Sequence, residues 1–417
     1  MKQMIINGGN TLTGSIKIGG AKNSAVALLP AAVLANGISV IKNVPNISDR
    51  DALIDILNVL NCKTTLKEDE LIIDTTALKN TLIDDYHSSR LRASYYFMGA
   101  LLGKEKYVEI YIPGGCNIGK RPIDIHLDGF KALGAEIITE GNKYILKADK
   151  LIGTDIYLRF QSVGATINLM LASVLAEGTT IIHNAAKEAE IDNIANFLVK
   201  MGAKITGIGT NEITIEGVKE LHGGEITVLP DRIEAGTYII LGALCGNNLS
   251  VENIIPEHLE ALTTKLEDMG ADIKIEANKI TINQVEHLKP INIKTLVYPG
   301  FPTDIGQPMS VLLTQAEGTS IFEETIWENR MGHVPSLNKM GANIKVNGMT
   351  AIITGPTKLT GCDVIATDLR GGAALVLAAL KAKGTTKITD VEHILRGYEN
   401  IENKLEQVGA KIEIIEI

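Results

Sequence analysis

The chain has 417 residues, enough for two or three domains with sizeable cores. It is 45% hydrophobic, 21% charged and only 4% aromatic, which excludes intrinsic disorder and suits an alanine- and isoleucine-rich globular protein. A net charge of −9 argues against nucleic acid as the main partner, so an anionic substrate would need a local cluster of cations.

The N-terminal run Met1-Lys2-Gln3-Met4-Ile5-Ile6-Asn7-Gly8-Gly9 offers no apolar core for a signal peptide, and no apolar run reaches transmembrane length. Cys62, Cys116, Cys245 and Cys362 stand far apart, with no Cys-x-x-Cys pair. Neither a zinc knuckle nor a disulfide framework is expected, and a reducing cytoplasm is the expected location. The first predicted strand, residues 14–18, leads into an apolar helix opened by Gly20-Ala21-Lys22-Asn23-Ser24. That strand is expected to pair with the C-terminal half.

Further along stands Pro113-Gly114-Gly115-Cys116-Asn117-Ile118-Gly119-Lys120-Arg121-Pro122-Ile123-Asp124-Ile125-His126. Its glycines predict a mobile loop. Pro122 biases Arg121 towards extended backbone, so Asp124 and His126 are expected on one face of a short strand. Lys120 and Arg121 beside Cys116 are suited to lowering the thiol pKa and gathering anions.

One unit then recurs at intervals of about seventy residues. Leu133-Gly134-Ala135-Glu136-Ile137 returns as Met201-Gly202-Ala203-Lys204-Ile205, Met269-Gly270-Ala271-Asp272-Ile273, Met340-Gly341-Ala342-Asn343-Ile344 and Val408-Gly409-Ala410-Lys411-Ile412. Leu60-Asn61-Cys62-Lys63-Thr64 is a degenerate first copy. Each glycine falls where a helix should stop, ahead of an alternating strand. Between these copies lie six small-residue helices that are apolar nearly all round, a pattern of buried helices. Their starts carry capping, glycine or basic residues, as at Ser162-Val163-Gly164, Asp231-Arg232, Pro302-Thr303-Asp304 and Asp368-Leu369-Arg370. Such ends suit anions or plain capping. The expected fold is α/β: two domains of three helix–sheet units each, buried helices inside, split near Leu229-Pro230. One domain would take residues 21–229, the other 1–20 plus 230–417.

With Leu91-Arg92-Ala93-Ser94, Glu328-Asn329-Arg330 and Arg396-Gly397-Tyr398-Glu399 also in order, the sequence resembles, over nearly its full length, the UDP-N-acetylglucosamine 1-carboxyvinyltransferase family. These are the enolpyruvyl transferases that start peptidoglycan precursor synthesis. The resemblance implies a two-domain inside-out α/β barrel. It implies addition of the sugar 3′-hydroxyl to C2 of phosphoenolpyruvate, followed by loss of phosphate. It also implies residue roles. Lys22, Asn23, Arg121 and Arg396 would hold phosphoenolpyruvate. Cys116 would protonate C3 and be the target of fosfomycin, and Asp304, also readable as an N-cap, would accept the 3′-hydroxyl proton. Lys22 and Arg396 count with these two as catalytic. Arg92, Arg121, Pro122, Ile123, Asp124, Ile125, His126, Ser162, Val163, Gly164, Asp304 and Ile326 would line the nucleotide-sugar pocket. Because these residues come from both halves, closure of the domains is expected. No cofactor, metal, nucleic acid or membrane is implied.

The sequence departs from the family pattern at Phe160-Gln161, Gly332 and Leu395. The alternatives are the sister enzyme acting on a phosphorylated carbocycle, which lacks the cysteine loop, and a catalytically silent UDP-sugar-binding paralogue.

Overall fold

A computed structural model of the chain describes residues 2–114, 119 and 122–417. The chain divides into two compact units, one from Gly20 to Leu229 and the other from the N-terminal segment up to Gly19 together with Pro230–Ile417. Each has its own apolar core. The strand expected at residues 14–18 runs over Leu12–Lys17 and pairs in parallel with Gly246–Glu252.

The centre of each unit is made of helices. In the first these are α1 (Lys22–Ala32), α2 (Tyr96–Glu105) and α3 (Val163–Ser173). In the second they are α4 (Arg232–Cys245), α5 (Thr303–Leu313) and α6 (Leu369–Lys381). All six are buried along almost their whole length, as helices without a polar face must be. Small residues let them approach closely. A Cβ on Gly99 of α2 would fall 2.3 Å from the Asn168 carbonyl oxygen of α3, and one on Gly103 2.7 Å from that of Leu171.

Among the described residues, three four-stranded sheets with a common plan pack against the helices of each unit. In one of them Thr179–His183, the strand that follows α3, pairs in parallel with Asp155–Tyr157 and antiparallel with Glu212–Glu216, which pairs in turn with Lys204–Thr206. An outer helix precedes the next strand in each repeat and ends where the repeat predicts. Gly134, Gly202, Gly270, Gly341 and Gly409 have φ between 97° and 106°, the left-handed region that favours glycine. In the degenerate copy Asn61 takes the same conformation at φ 64°.

The periodicity did not reveal the N-terminal strand. The sixth repeat supplies a single strand, Lys411–Glu416, after its outer helix, one strand short of a hairpin. Lys2–Asn7 fills the vacancy, antiparallel to both Thr385–Thr389 and Lys411–Glu416.

A second expectation is corrected. Asp124 and His126 do not share a strand face, because Asp124 opens a helix, Asp124–Ala132. The constraint from Pro122 reaches only the residue before it. From Asp124 onward, Ile125 and Phe130 face the core with Leu133 just beyond the helix end, and an acidic residue suits a helix N-terminus. Residues two apart on a helix point to nearly opposite sides, so Asp124 is exposed and His126 buried.

Candidate active site

In the first unit, Lys22 is the first residue of α1, placed by the chain that enters there. Gly20 lets that chain pass the 43–45 turn, since a Cβ would lie 1.9 Å from the Asn43 carbonyl oxygen. The Ala21 amide then donates to the Leu229 carbonyl at 2.6 Å. Lys22 Nζ pairs with Asp49 Oδ2 at 3.1 Å, both side chains being largely buried. Asn23 follows, half-buried, on the first turn of α1.

The residues expected to bind the nucleotide sugar gather around the N-terminus of α3. Ser162 caps it, its Oγ accepting from the Ala165 amide at 3.2 Å. Gly164 packs against aromatic rings, and a Cβ there would meet Tyr95 Oη at 2.6 Å and His126 Cε1 at 3.0 Å. Arg92 opens a short helical turn, donates from Nη1 to the Pro113 carbonyl at 3.4 Å and lies over the Tyr95 ring. Asp124 pairs with Arg159 at 2.7 Å on the surface, Pro122 is exposed, and Ile123 and Ile125 are buried.

His126 sits behind this wall, edge-on to Tyr95. Asn168 fixes its tautomer. The Asn168 carbonyl oxygen accepts from the Gly99 amide at 2.9 Å, so its NH₂ group must donate, to the Tyr95 carbonyl at 3.1 Å and to His126 Nδ1 at 2.9 Å. Burial, aided by the Arg92 charge, holds the His126 pKa down at about 3. The buried imidazole is therefore neutral at neutral pH, with its one proton on Nε2.

This has a consequence for stability. Between the unfolded histidine value near 6.5 and about 3, the unfolded chain binds a proton that the folded chain does not. His126 therefore contributes stability above about pH 6.5 that is lost as the pH falls towards 3. His126→Gln should flatten the fall of unfolding free energy between pH 6.5 and 5 by about 1.4 kcal/mol per pH unit. Urea titrations of both proteins across that range check it, and parallel slopes would refute it.

In the second unit the chemistry centres on Asp304. It is not an N-cap: Pro302 holds that position, and Asp304 lies in the first turn of α5. Its oxygens are engaged by two guanidiniums, Arg330 Nη2 on Oδ1 and Arg370 Nη2 on Oδ2 at 3.2 Å. The arginine side chains are 5% and 3% exposed and that of Asp304 is 23% exposed, so the carboxylate is the member of the cluster that solvent or a ligand can reach. Burial alone would raise the Asp304 pKa, but the charges of Arg370 and Arg330 outweigh it and hold the carboxyl well below the usual range. Arg232, the first residue of α4, adds a third positive charge and lies over the Tyr298 ring.

The segment carrying Ile326 is tied to the same helix. Buried Glu324 accepts from the Ile326 amide at 2.7 Å and from Thr303 Oγ1, at the start of α5, at 2.8 Å. Arg396 follows the short helix Glu392–Leu395 and is half-buried. Asp231 and Asp368 act as helix caps, each accepting from two backbone amides.

The structure thus brings together Arg92, residues 123–126 and 162–164 in one unit, and Asp304 with the Ile326 segment in the other. Cys116 and Arg121, with 115, 117, 118 and 120, lie outside the described residues. Sequence reasoning gave no role to Arg330, Arg370, Glu324, Asn168 or Gln307. The signal for the two arginines was present, because both stand in motifs that the resemblance already used.

A family model described as EPSP synthase (3-phosphoshikimate 1-carboxyvinyltransferase) matches residues 6–405. The chain is 54% identical to UDP-N-acetylglucosamine 1-carboxyvinyltransferase 2 of Clostridium acetobutylicum, covering 99% of each chain. It is 52% identical to the protein of the same name from Bacillus subtilis, covering 99% of this chain and 96% of that one. Among solved structures, the enolpyruvyl transferase NikO from Streptomyces tendae superposes with a TM-score of 0.91 at 25% identity, over 99% of this chain and 98% of that one. EPSP synthase from Acinetobacter baumannii shares the fold, with a TM-score of 0.75 at 19% identity over the whole of both chains. With a family match along almost all its length and full-length relatives above half identity, this chain is a transferase of the enolpyruvyl transferase family.

Proposed function

We propose that this protein transfers the enolpyruvyl group of phosphoenolpyruvate to the 3′-hydroxyl of UDP-N-acetylglucosamine, releasing phosphate. The reaction is the first committed step of peptidoglycan precursor synthesis, a cytoplasmic process. The observation that carries this reading is the 54% identity, end to end, with a relative named for that reaction. The EPSP synthase likeness at 19% identity speaks for the fold alone.

The chemistry proceeds in two steps. In the addition, the 3′-oxygen bonds to C2 of phosphoenolpyruvate, its proton passes to Asp304, and C3 gains a proton from Cys116. In the elimination, C3 loses a proton, the C2–oxygen bond to phosphate breaks and the double bond re-forms. Lys22, Arg121 and Arg396 serve the phosphate and carboxylate, with Asn23 bridging to the tetrahedral intermediate. Lysine provides a compact charge and arginine a planar fork. Arg330 and Arg370 support this role by keeping Asp304 ionised. Arg92, Arg121, Pro122, Ile123, Asp124, Ile125, Ser162, Val163, Gly164, Asp304 and Ile326 would surround the nucleotide sugar, with His126 as the buried brace behind them. The six repeats, three per unit around buried helices, support an inside-out α/β barrel. In that arrangement residues 21–229 form the domain of Lys22 and the Cys116 loop, and 1–20 plus 230–417 the domain of Asp304 and Arg396.

Phosphate release is the direct test. It should require both phosphoenolpyruvate and UDP-N-acetylglucosamine, and shikimate 3-phosphate should not replace the sugar nucleotide. Release with shikimate 3-phosphate alone would assign the sister activity, and no release with either would leave a silent binding protein.

Fosfomycin should modify Cys116 and abolish this activity. Burial pushes the Cys62 thiol up to about 11 and that of Cys245 to about 12, leaving almost no thiolate at neutral pH. Peptide mapping after treatment checks this, and labelling at Cys62, Cys245 or Cys362 in place of Cys116 would refute it.

A further inference from the structure

Gln307 lies one turn beyond Asp304 on α5 and is 2% exposed. Its NH₂ group donates to the Arg330 backbone carbonyl at 3.0 Å and to Asp368 Oδ2 at 3.2 Å. Its carbonyl oxygen accepts from Arg330 Nη1 at 3.3 Å. Turning the amide over would set its oxygen against a carbonyl and a carboxylate, and its N–H groups against a guanidinium, so the chemistry admits one orientation. The same guanidinium then reaches Asp304 through Nη2. Asp368, the other partner, uses Oδ1 to cap α6 through the Arg370 and Gly371 amides, both at 3.0 Å. Gly371 gives the amide room, since a Cβ there would lie 3.3 Å from Gln307 Nε2 and 2.7 Å from Asp368 Oδ2.

We propose that Gln307 is a positioning residue that aims Arg330 directly, and Arg370 through the Asp368-capped helix, at the two oxygens of Asp304. The inference rests on the reading of Asp304 as acceptor of the 3′-hydroxyl proton. An ion-paired carboxylate is a weak base, so the closeness of the guanidiniums sets how readily Asp304 takes a proton. The charged groups facing Asp304 are Arg330, Arg370 from α6 and Arg232 from α4. Around Gln307 they are Arg330 and Asp368, with His333 one turn away, bonded to Ser310 Oγ at 2.9 Å and held neutral by burial.

The experiment compares full-length wild type, Gln307→Met and Gln307→Glu. Methionine keeps the volume and removes every polar contact. Glutamate offers Arg330 a competing carboxylate and provides a second folded variant. Two readouts are needed: the Asp304 titration, followed by carboxyl-carbon NMR and assigned by its loss in Asp304→Asn, and the pH profile of kcat for phosphate release. In both variants the Asp304 titration should move up by at least about one pH unit, with the acid limb of kcat following it. In Gln307→Met the Asp304 carboxylate is more basic but no longer held in place, so kcat should fall about tenfold while KM for either substrate stays within about threefold. An Asp304 titration that stays in place in a folded variant overturns the positioning role. A titration that moves while the acid limb of kcat stays fixed sustains the positioning role and removes Asp304 as the proton acceptor.

Discussion

Asp304→Ala should lose both stability and turnover. The substitution leaves Arg330 and Arg370 facing each other with the shared carboxylate gone, and water reaches the two buried guanidiniums only through the opening that Asp304 vacates. Breaking a buried ion pair from one side costs about 3–5 kcal/mol, mostly from the charge left behind. The same change removes the proposed proton acceptor, and general base catalysis is worth about 10²–10⁴ in rate. Asp304→Asn separates the two effects. It keeps the shape and a hydrogen-bond acceptor, so it should recover part of the stability and none of the rate. Guanidinium chloride unfolding and phosphate release on the three proteins check this. An alanine variant within about 1 kcal/mol and tenfold of wild type would mean that the cluster is peripheral to both folding and catalysis.

Lys22→Ala should be nearly as damaging to activity. Lys22 lies in the first turn of α1, where its ammonium meets the largely buried Asp49 at 3.1 Å. Losing one partner of a desolvated charge contact to an anionic ligand costs about 2–5 kcal/mol, which corresponds to roughly 30-fold to several-thousand-fold in kcat/KM. Lys22→Arg keeps the charge but not the point-like ammonium, so it should restore little. Steady-state kinetics with phosphoenolpyruvate as the varied substrate decide the matter, and a loss below tenfold would remove Lys22 from the reaction.

Local signals made much of this architecture legible in the sequence. Five glycines and Asn61 mark the outer-helix ends because a left-handed residue is required there whatever surrounds it. The six buried helices announce themselves by having no polar face. What stayed hidden depends on partners far away in the chain. The N-terminal strand shows no repeat motif, since its place is defined by strands almost four hundred residues later. The helix at Asp124 was masked by the nearby proline, whose influence stops short of it. Glu324 and Gln307 read as ordinary polar residues, and only packing reveals that every polar atom they carry is committed.

The strand Lys2–Asn7 also sets an order of events during biosynthesis. Residues 20–229 hold all the strands of their own sheets and can close as soon as they leave the ribosome, whereas Lys2–Asn7 must wait for Thr385–Thr389 and Lys411–Glu416. The pairing of Met4 with Ile388 and Ile414 is among the longest-range contacts the chain can make, so completion of the second unit should be the slow phase of refolding. The same geometry sets Lys2 directly opposite Glu416. A short turn joining Lys2 to Glu416, with the chain opened at the exposed 209–211 turn, would turn the longest-range pairing into a local hairpin. Such a permutant should refold faster than the natural chain.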